Sequence, residues 1–258
     1  MCRKKISIIT INYNNFDGLR RTLESVAVQD GAKFEHIVID GLSNDGSQKL
    51  VNSYQNLHGN SAKVIEEDSG IYDAMNKGLG LASGDYVAFL NSGDVLPSSD
   101  IIFRCSAILD EYPTALYGDI DFVDAHMRVV REWKSGRFLR SKLLWGWMPP
   151  HPMLFIKRSA LIGSGGFDTS YTIAADYKLL LSILSKPSVK VRYTGFTVAR
   201  MEVGGLSNGS LKAVAQSNLQ VVRAWIQVNR LPALWLLFTK PFSKLFQLRK
   251  GYKYMLSL

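Results

Sequence analysis

Ile6-Ser7-Ile8-Ile9-Thr10-Ile11-Asn12-Tyr13-Asn14-Asn15-Phe16-Asp17-Gly18 decides the architecture. Its isoleucines at 6, 8, 9 and 11 have no helical spacing, and β-branched residues suit an extended, packed chain. A turn-rich polar segment follows, after which Leu19, Leu23 and Val26 recur at helical spacing. The reading is strand, loop, helix, and it repeats downstream. His36-Ile37-Val38-Ile39 is a buried strand, 40–46 a polar loop and 47–57 a helix. Residues 62–66 form a third strand, Asp68-Ser69-Gly70 a loop and 72–82 a helix that Ser83-Gly84 closes. Tyr86-Val87-Ala88-Phe89-Leu90 is the next strand and ends in Asn91-Ser92-Gly93-Asp94. Short apolar strands alternating with helices predict an α/β fold with a mainly parallel sheet covered on both faces. Such sheets bind ligands beyond the carboxyl ends of their strands, where these polar loops fall.

Farther along, 115–123 and 128–133 flank Asp124-Ala125-His126-Met127 as an antiparallel hairpin, so the parallel half gives way to a mixed one. Strands at 153–156 and 189–193 and helices at 176–184 and 211–228 complete the pattern. With 258 residues, 47% of them hydrophobic, the chain suits one catalytic domain, 1–208, and an appendage, 209–258. Cys2 and Cys105 are too few for a disulfide framework or a thiolate metal site, and no export leader is expected from the basic N-terminus, which runs straight into the first strand.

The formal charge is +9, and eight basic residues follow Glu202, the last acidic one. A uniformly basic nucleic-acid binder has no such asymmetry, so no nucleic-acid partner is expected. The same tail carries Trp235, Phe238, Phe242, Phe246 and several leucines, broken by Pro232 and Pro241. No apolar run approaches the roughly 18–20 residues that cross a bilayer. The composition fits an interfacial anchor on a cytoplasmic membrane face, with a helix docked on the catalytic domain as the alternative.

The loops offer chemistry, each with a structural alternative. A planar base can stack on Tyr13 while Asp40 accepts from the imide N–H of uracil or thymine; alternatively, Asp40 stabilises its own turn. Asp94 can join two diphosphate oxygens in holding Mg²⁺ or Mn²⁺, or cap a helix starting near Ser98 or Ser99. Asp176 can act as a general base or as a helix N-cap. His151, between Pro150 and Pro152, can donate to a phosphate or sugar hydroxyl or be purely structural. No glycine-rich phosphate loop follows any strand, and the first loop lacks the Gly and Arg/Lys pattern of a nucleotidyltransferase.

Taken in order, Ser7 to Asn14, Ile37 to Gly41, Ser43 to Ser47, Asp68-Ser69-Gly70-Ile71-Tyr72-Asp73-Ala74-Met75-Asn76-Lys77-Gly78 and Phe89 to Asp94 resemble glycosyltransferase family 2. The nearest likeness is to bacterial enzymes of colanic acid, O-antigen and capsule assembly. It continues through Tyr117-Gly118-Asp119, His151-Pro152, Gly165-Gly166-Phe167-Asp168, Ala175-Asp176-Tyr177 and Gly204-Gly205-Leu206-Ser207. The resemblance implies a GT-A fold with a mixed central sheet, and inverting transfer of a sugar from a nucleoside diphosphate sugar; the basic, aromatic tail points to an acceptor held at the membrane, a polyprenyl-diphosphate-linked glycan. It further implies that Thr10, Asn12, Tyr13, Asp40, Asp73, Asn76 and Asn91 bind the donor, Asp94 binds the metal and Asp176 is the base. Asp119 and His151 would contact acceptor or phosphate. Asn91 stands where the family's first metal-site aspartate is usual, leaving one carboxylate in that motif.

Overall fold

The computed structural model describes residues 4–57, 61–203 and 211–229. The tail after 229 and the Gly204-Gly205-Leu206-Ser207 motif lie outside the described residues. The elements are β1 (Ile6–Asn12), α1 (Phe16–Ala27), β2 (Phe34–Asp40), α2 (Ser47–Leu57), β3 (Ser61–Ile65), α3 (Ile71–Leu81), β4 (Tyr86–Phe89), α4 (Ile101–Leu109), β5 (Ala115–Val123), β6 (Val129–Trp133), β7 (Phe155–Lys157), α5 (Arg158–Gly163), α6 (Ala175–Leu184), β8 (Val191–Glu202) and α7 (Leu211–Asn229), with a 3-10 turn at Arg140–Trp145. One sheet runs β3-β2-β1-β4-β7-β5-β6, and β8 pairs with β5. β1 to β4 are mutually parallel, β7 enters antiparallel between β4 and β5, and β5–β6 is the expected antiparallel hairpin.

The alternation of β1 explains the two-sided core. Ile9 and Ile11 point with Ile37, Ile39, Val87 and Phe89 to one face, where Met75 and Leu79 of α3 and the helices α6 and α7 cover them. Ile6 and Ile8 point with Tyr86, Ala88 and Leu90 to the other, under Val26 and the α4 residues Ile101, Ile102 and Cys105. α7 belongs to this core by packing, since Val221, Val222, Ala224 and Trp225 are buried in the first cluster. The boundary expected at 208/209 therefore precedes a helix that shares the catalytic domain's interior.

Two elements differ from expectation. β8 was expected to stop near 193 but runs twelve residues to Glu202. Thr194-Gly195-Phe196 interrupts the apolar run, yet the ladder with β5 continues through register shifts at Tyr117/Asp119 and Asp119/Ile120. Gly118 permits this close passage, because a Cβ there would meet Val198 Cγ1 at 2.5 Å and the Phe196 carbonyl at 2.6 Å. The helix expected from Ser98 or Ser99 starts at Ile101 with Asp100 as its N-cap residue, so Asp94 does not cap it.

Glu35 staples the amino edge of the sheet. Its Oε1 accepts from Ser7 Oγ (2.6 Å) and Ser83 N (2.7 Å), and Lys5 Nζ lies 3.0 Å from Oε2. Burial alone would raise its carboxyl, but the bonds from Ser7, Ser83 and Lys5 outweigh burial and hold it down at about 2. Because the folded value lies below the unfolded one, the unfolded chain binds more protons between about pH 2 and 4.5, and stability rises with pH across that window. Glu35→Gln is expected to lower stability at pH 7 by about 2 kcal/mol, the scale of losing charge-assisted bonds. Urea unfolding should show the gap between the two proteins closing toward pH 2; an equal gap at pH 7 and pH 2.5 would contradict this account.

Candidate active site

The candidate site lies where β1, β2 and β4 end. Asn12 pairs with Asp40 at the last step of the β1–β2 ladder, and Gly41 N donates to Asn12 O (3.0 Å). Ser92 N reaches Ile11 O (3.1 Å) and Asn15 Nδ2 reaches Ser92 Oγ (2.9 Å), lacing the β4 loop to the β1 loop. Asn14 N donates to Ser43 Oγ (2.8 Å), adding the β2 loop. Three separate loops are thereby held as one rim.

Asp40 is fully buried, and its carboxylate accepts from Ser43 N (2.8 Å), Ser43 Oγ (2.8 Å) and Asn12 Nδ2 (2.8 Å). The turn-stabilising alternative thus describes its contacts. The open surface beside it belongs to Tyr13, whose side chain is 68% exposed. Asp68 completes this wall and was not singled out from sequence. A Cβ on Gly41 would stand 2.5 Å from Asp68 Oδ2 and 3.3 Å from Tyr13 Cδ2, so the bare Gly41 backbone lets carboxylate and ring close on the same spot. The signal available in the sequence was an aspartate opening the Asp68-Ser69-Gly70 turn.

Asp94 lies on the β4 side of the rim, 8% exposed. Thr22 of α1 shapes its loop by donating to Asp94 O (2.7 Å) and accepting from Gly93 N (3.0 Å). Val95 then bridges antiparallel to Arg200 of β8. This register sets Gly93 opposite Glu202, whose Oε2 is 4.0 Å from where a Gly93 Cβ would stand. Glu202, which marked only the start of the acid-free tail in the sequence, is thus the second carboxylate near Asp94, and Arg21 of α1 pairs with it. Burial, aided by the Glu202 charge and opposed by a bond from Asn91, pushes the Asp94 carboxyl up to about 8.

A divalent cation fits here by one observation. Asn91 Oδ1 is buried and, among the described residues, has no hydrogen-bond partner. An unsatisfied amide oxygen near a buried carboxylate is the hard donor chemistry that Mg²⁺ and Mn²⁺ take. Among the described residues no three Asp, Glu, His or Cys side chains converge as a metal cage, so Asp94 and Asn91 would leave most positions to substrate oxygens and water.

Asp176 sits in the first turn of α6, whose N-cap residue is Ala174, so it does not act as the N-cap. Tyr72, at the start of α3, reaches this turn: its hydroxyl donates to Ile173 O (2.5 Å) and lies 3.4 Å from Asp176 Oδ1. Burial, and then the Asp176 charge, raise the Tyr72 hydroxyl well above its ordinary value, so it stays a donor. Phe167 stacks on Tyr72 (centroids 5.8 Å) and meets Phe89 edge-on (5.2 Å), so packed rings connect the Asp176 turn to the last residue of β4, whose following loop carries Asn91 and Asp94.

Other expected residues are used differently. Thr10 is fully buried and joins Leu90 O (2.8 Å) and His36 Nε2 (2.9 Å) inside the sheet. Asn76 exchanges two bonds with the Phe167 backbone (both 2.8 Å). Asp119 is 2% exposed and braces Ser135 N (2.8 Å) and Tyr193 Oη (2.7 Å). The hydrogen bonds of these three side chains go to the surrounding framework. Asp73 accepts from Ser69 N (3.0 Å) at the α3 N-terminus, shaping the turn next to Asp68. His151 is half-buried, with its carbonyl bound to Leu154 N (3.1 Å), and Met153 N bonds Phe89 O (2.9 Å), which sets this loop beside the end of β4. A depression of about 300 Å³ between Gly165, Asp168, Lys178 and Ser182 is lined by none of the expected site residues.

The sheet is an α/β arrangement whose parallel half ends in a rim of polar loops, with an exposed aromatic ring and a buried carboxylate at the carboxyl ends of its strands. The glycosyl transferase family 2 model matches residues 7–161, and the chain belongs to that family. It is a glycosyltransferase. It is 31% identical over 212 residues to a PGL/p-HBAD biosynthesis glycosyltransferase of Mycobacterium tuberculosis, covering 81% of each chain. It is 39% identical over 90 residues to the putative teichuronic acid biosynthesis glycosyltransferase TuaG of Bacillus subtilis, covering 34% of this chain and 36% of TuaG. Among solved structures, S. aureus TarS 1-349 with UDP-GlcNAc aligns with a TM-score of 0.66 at 17% identity, covering 87% of this chain and 67% of that one. The mannosyltransferase PcManGT of Pyrobaculum calidifontis, with GDP-Man and Mn²⁺, aligns with a TM-score of 0.64 at 21% identity, covering 92% and 69%. These two share the GT-A fold with this chain.

Proposed function

We propose that this glycosyltransferase moves a hexosyl group, with inversion, from a uridine diphosphate sugar to a hydroxyl of a polyprenyl-diphosphate-linked glycan during surface polysaccharide assembly. The observation that carries the reading is the Tyr72 hydroxyl, which ties the helix starting at the candidate site to the turn bearing Asp176. Tyr13 stacks the base, and a carboxylate beside it accepts from the uracil imide; Asp68 is the more open of the two candidates and Asp40 the more buried. Asp176 takes the proton from the acceptor hydroxyl as that oxygen attacks the anomeric carbon opposite the leaving diphosphate. Inversion follows from that geometry. A divalent cation held by Asp94 and Asn91 supplies charge stabilisation to the diphosphate when bound. The TarS and PcManGT complexes with nucleotide sugars, one with Mn²⁺, support this choice of donor class and metal.

The lipid-linked acceptor follows from the basic, aromatic tail, which would hold the enzyme peripherally on the cytoplasmic membrane face. Among the described residues no helix is long and apolar enough to cross a membrane. One experiment addresses both parts: calorimetric titration of UDP-, dTDP- and GDP-sugars with and without Mn²⁺, alongside sedimentation with phosphatidylglycerol vesicles. A UDP-sugar is expected to bind more tightly with Mn²⁺, and the protein to sediment in a salt-sensitive way. Absence of binding by every nucleotide sugar would remove the donor reading, and protein left in the supernatant would remove the membrane reading.

A further inference from the structure

We propose that Gln220 of α7 is a positioning residue for Asp176, latching the turn that presents it; this rests on Asp176 being the general base. The turn 170–174 leads directly into α6, and that helix has no side-chain cap of its own among the described residues. Gln220 supplies one from outside. Its Oε1 accepts from both Ile173 N (3.0 Å) and Ala174 N (3.1 Å), and its Nε2 donates to Thr172 Oγ1 (2.7 Å). The Ile173 peptide is therefore gripped from two sides, its N–H by Gln220 and its carbonyl by Tyr72, and Asp176 follows two residues after the capped position.

Gln220 is the centre of a stripe. Gln216, Gln220, Arg223 and Gln227 recur at steps of four, three and four, which sets them on one helical face. Gln216 Nε2 also donates to Thr172 Oγ1 (3.0 Å), Arg223 reaches Ser170 Oγ (3.3 Å) and lies 4.7 Å from the Tyr171 ring centre, and Gln227 Oε1 accepts from Tyr171 Oη (2.9 Å). Residues 170–174 are thus read side chain by side chain from α7, while Val221, Val222, Ala224 and Trp225 fix the helix to the core. Stability alone would need only that apolar face. The polar stripe converges on the one turn whose position sets Asp176 against an acceptor hydroxyl.

The test separates acceptor from donor chemistry at position 220. Gln220→Leu leaves both N–H groups without their acceptor. Gln220→Glu keeps an oxygen for both, and Thr172 can turn its hydroxyl to donate to it. With the donor selected by the titration above, Gln220→Leu is expected to lower kcat about 10- to 100-fold, the order lost when a reacting group shifts by about an ångström. KM for the donor and the calorimetric affinity for UDP should stay within about two-fold, and Gln220→Glu should keep kcat within about three-fold, on the same reasoning that only the turn moves. Hydrogen exchange at Ile173 and Ala174 should quicken in Gln220→Leu alone. If Gln220→Leu does not fold, Gln220→Asn, one methylene short of both N–H groups, carries the same comparison. Wild-type kcat in the Leu variant, or an equal loss in the Glu variant, would overturn the latch while an inactive Asp176→Asn left the base standing. A fully active Asp176→Asn would instead remove the base reading.

Discussion

Asp176→Asn is expected to abolish transfer almost completely, by about 100-fold or more, the range for loss of a general base, while UDP binding is unchanged. The substitution is nearly isosteric, and the amide oxygen can still face the Tyr72 hydroxyl, which in any case is committed at 2.5 Å to Ile173 O. The α6 N-terminus loses a favourable first-turn charge, worth about 0.3–1 kcal/mol, so the variant should fold. What disappears is the ability to take a proton. The decisive measurement is single-turnover transfer beside calorimetric UDP affinity. A fall in both together would assign Asp176 to substrate binding instead, and unchanged turnover would require another base.

The fold was legible where local pattern and tertiary demand agree. Ile6 to Asn12 and His36 to Ile39 have no way to be satisfied except as buried central strands, and both are. The hairpin around Asp124 was equally plain, because its turn bonds are local: His126 N and Arg128 N both return to Asp124 Oδ1. β8 was read short because its continuity depends on β5, not on its own composition; Gly195 and Thr194 look like a stop until Gly118 opens the facing strand. The short α5 and the 3-10 turn at Arg140–Trp145 have too few turns to show periodicity at all.

The site was legible as a set of loops and much less so as a set of side-chain directions. Alternation along β1 already turns Thr10 to the same face as Ile6 and Ile8, away from the strand end, so its burial follows from position within the strand. Asn76 and Asp119 were harder, because their partners, Phe167, Ser135 and Tyr193, are distant in sequence. Glu202 is the strongest case. Its approach to Asp94 depends on an antiparallel bridge between Val95 and Arg200, a contact across more than a hundred residues that no motif encodes.

That approach makes Asp94→Asn the second large effect. The bonds of Thr22 Oγ1 to Asp94 O, of Asp94 N to Asn91 O and of Val95 N to Arg200 O involve no Asp94 side-chain atom, and an amide oxygen can still accept from the Asn91 backbone, so the loop should persist. Removing the carboxylate should cost about 100- to 1000-fold in transfer, the scale measured when one stabilising group is withdrawn from developing charge. Mn²⁺ titrated in the presence of UDP should bind correspondingly more weakly. Stability should move the other way. A carboxyl that burial and the Glu202 charge push up to about 8 is costly in the fold, and a neutral amide of equal size relieves that cost. Thermal unfolding of Asp94→Asn is therefore expected at or above the wild-type midpoint. Opposite signs in the two readouts are the signature of a group retained for chemistry at the expense of the fold. A destabilised variant with undiminished Mn²⁺ binding would make Asp94 a part of the loop's architecture instead.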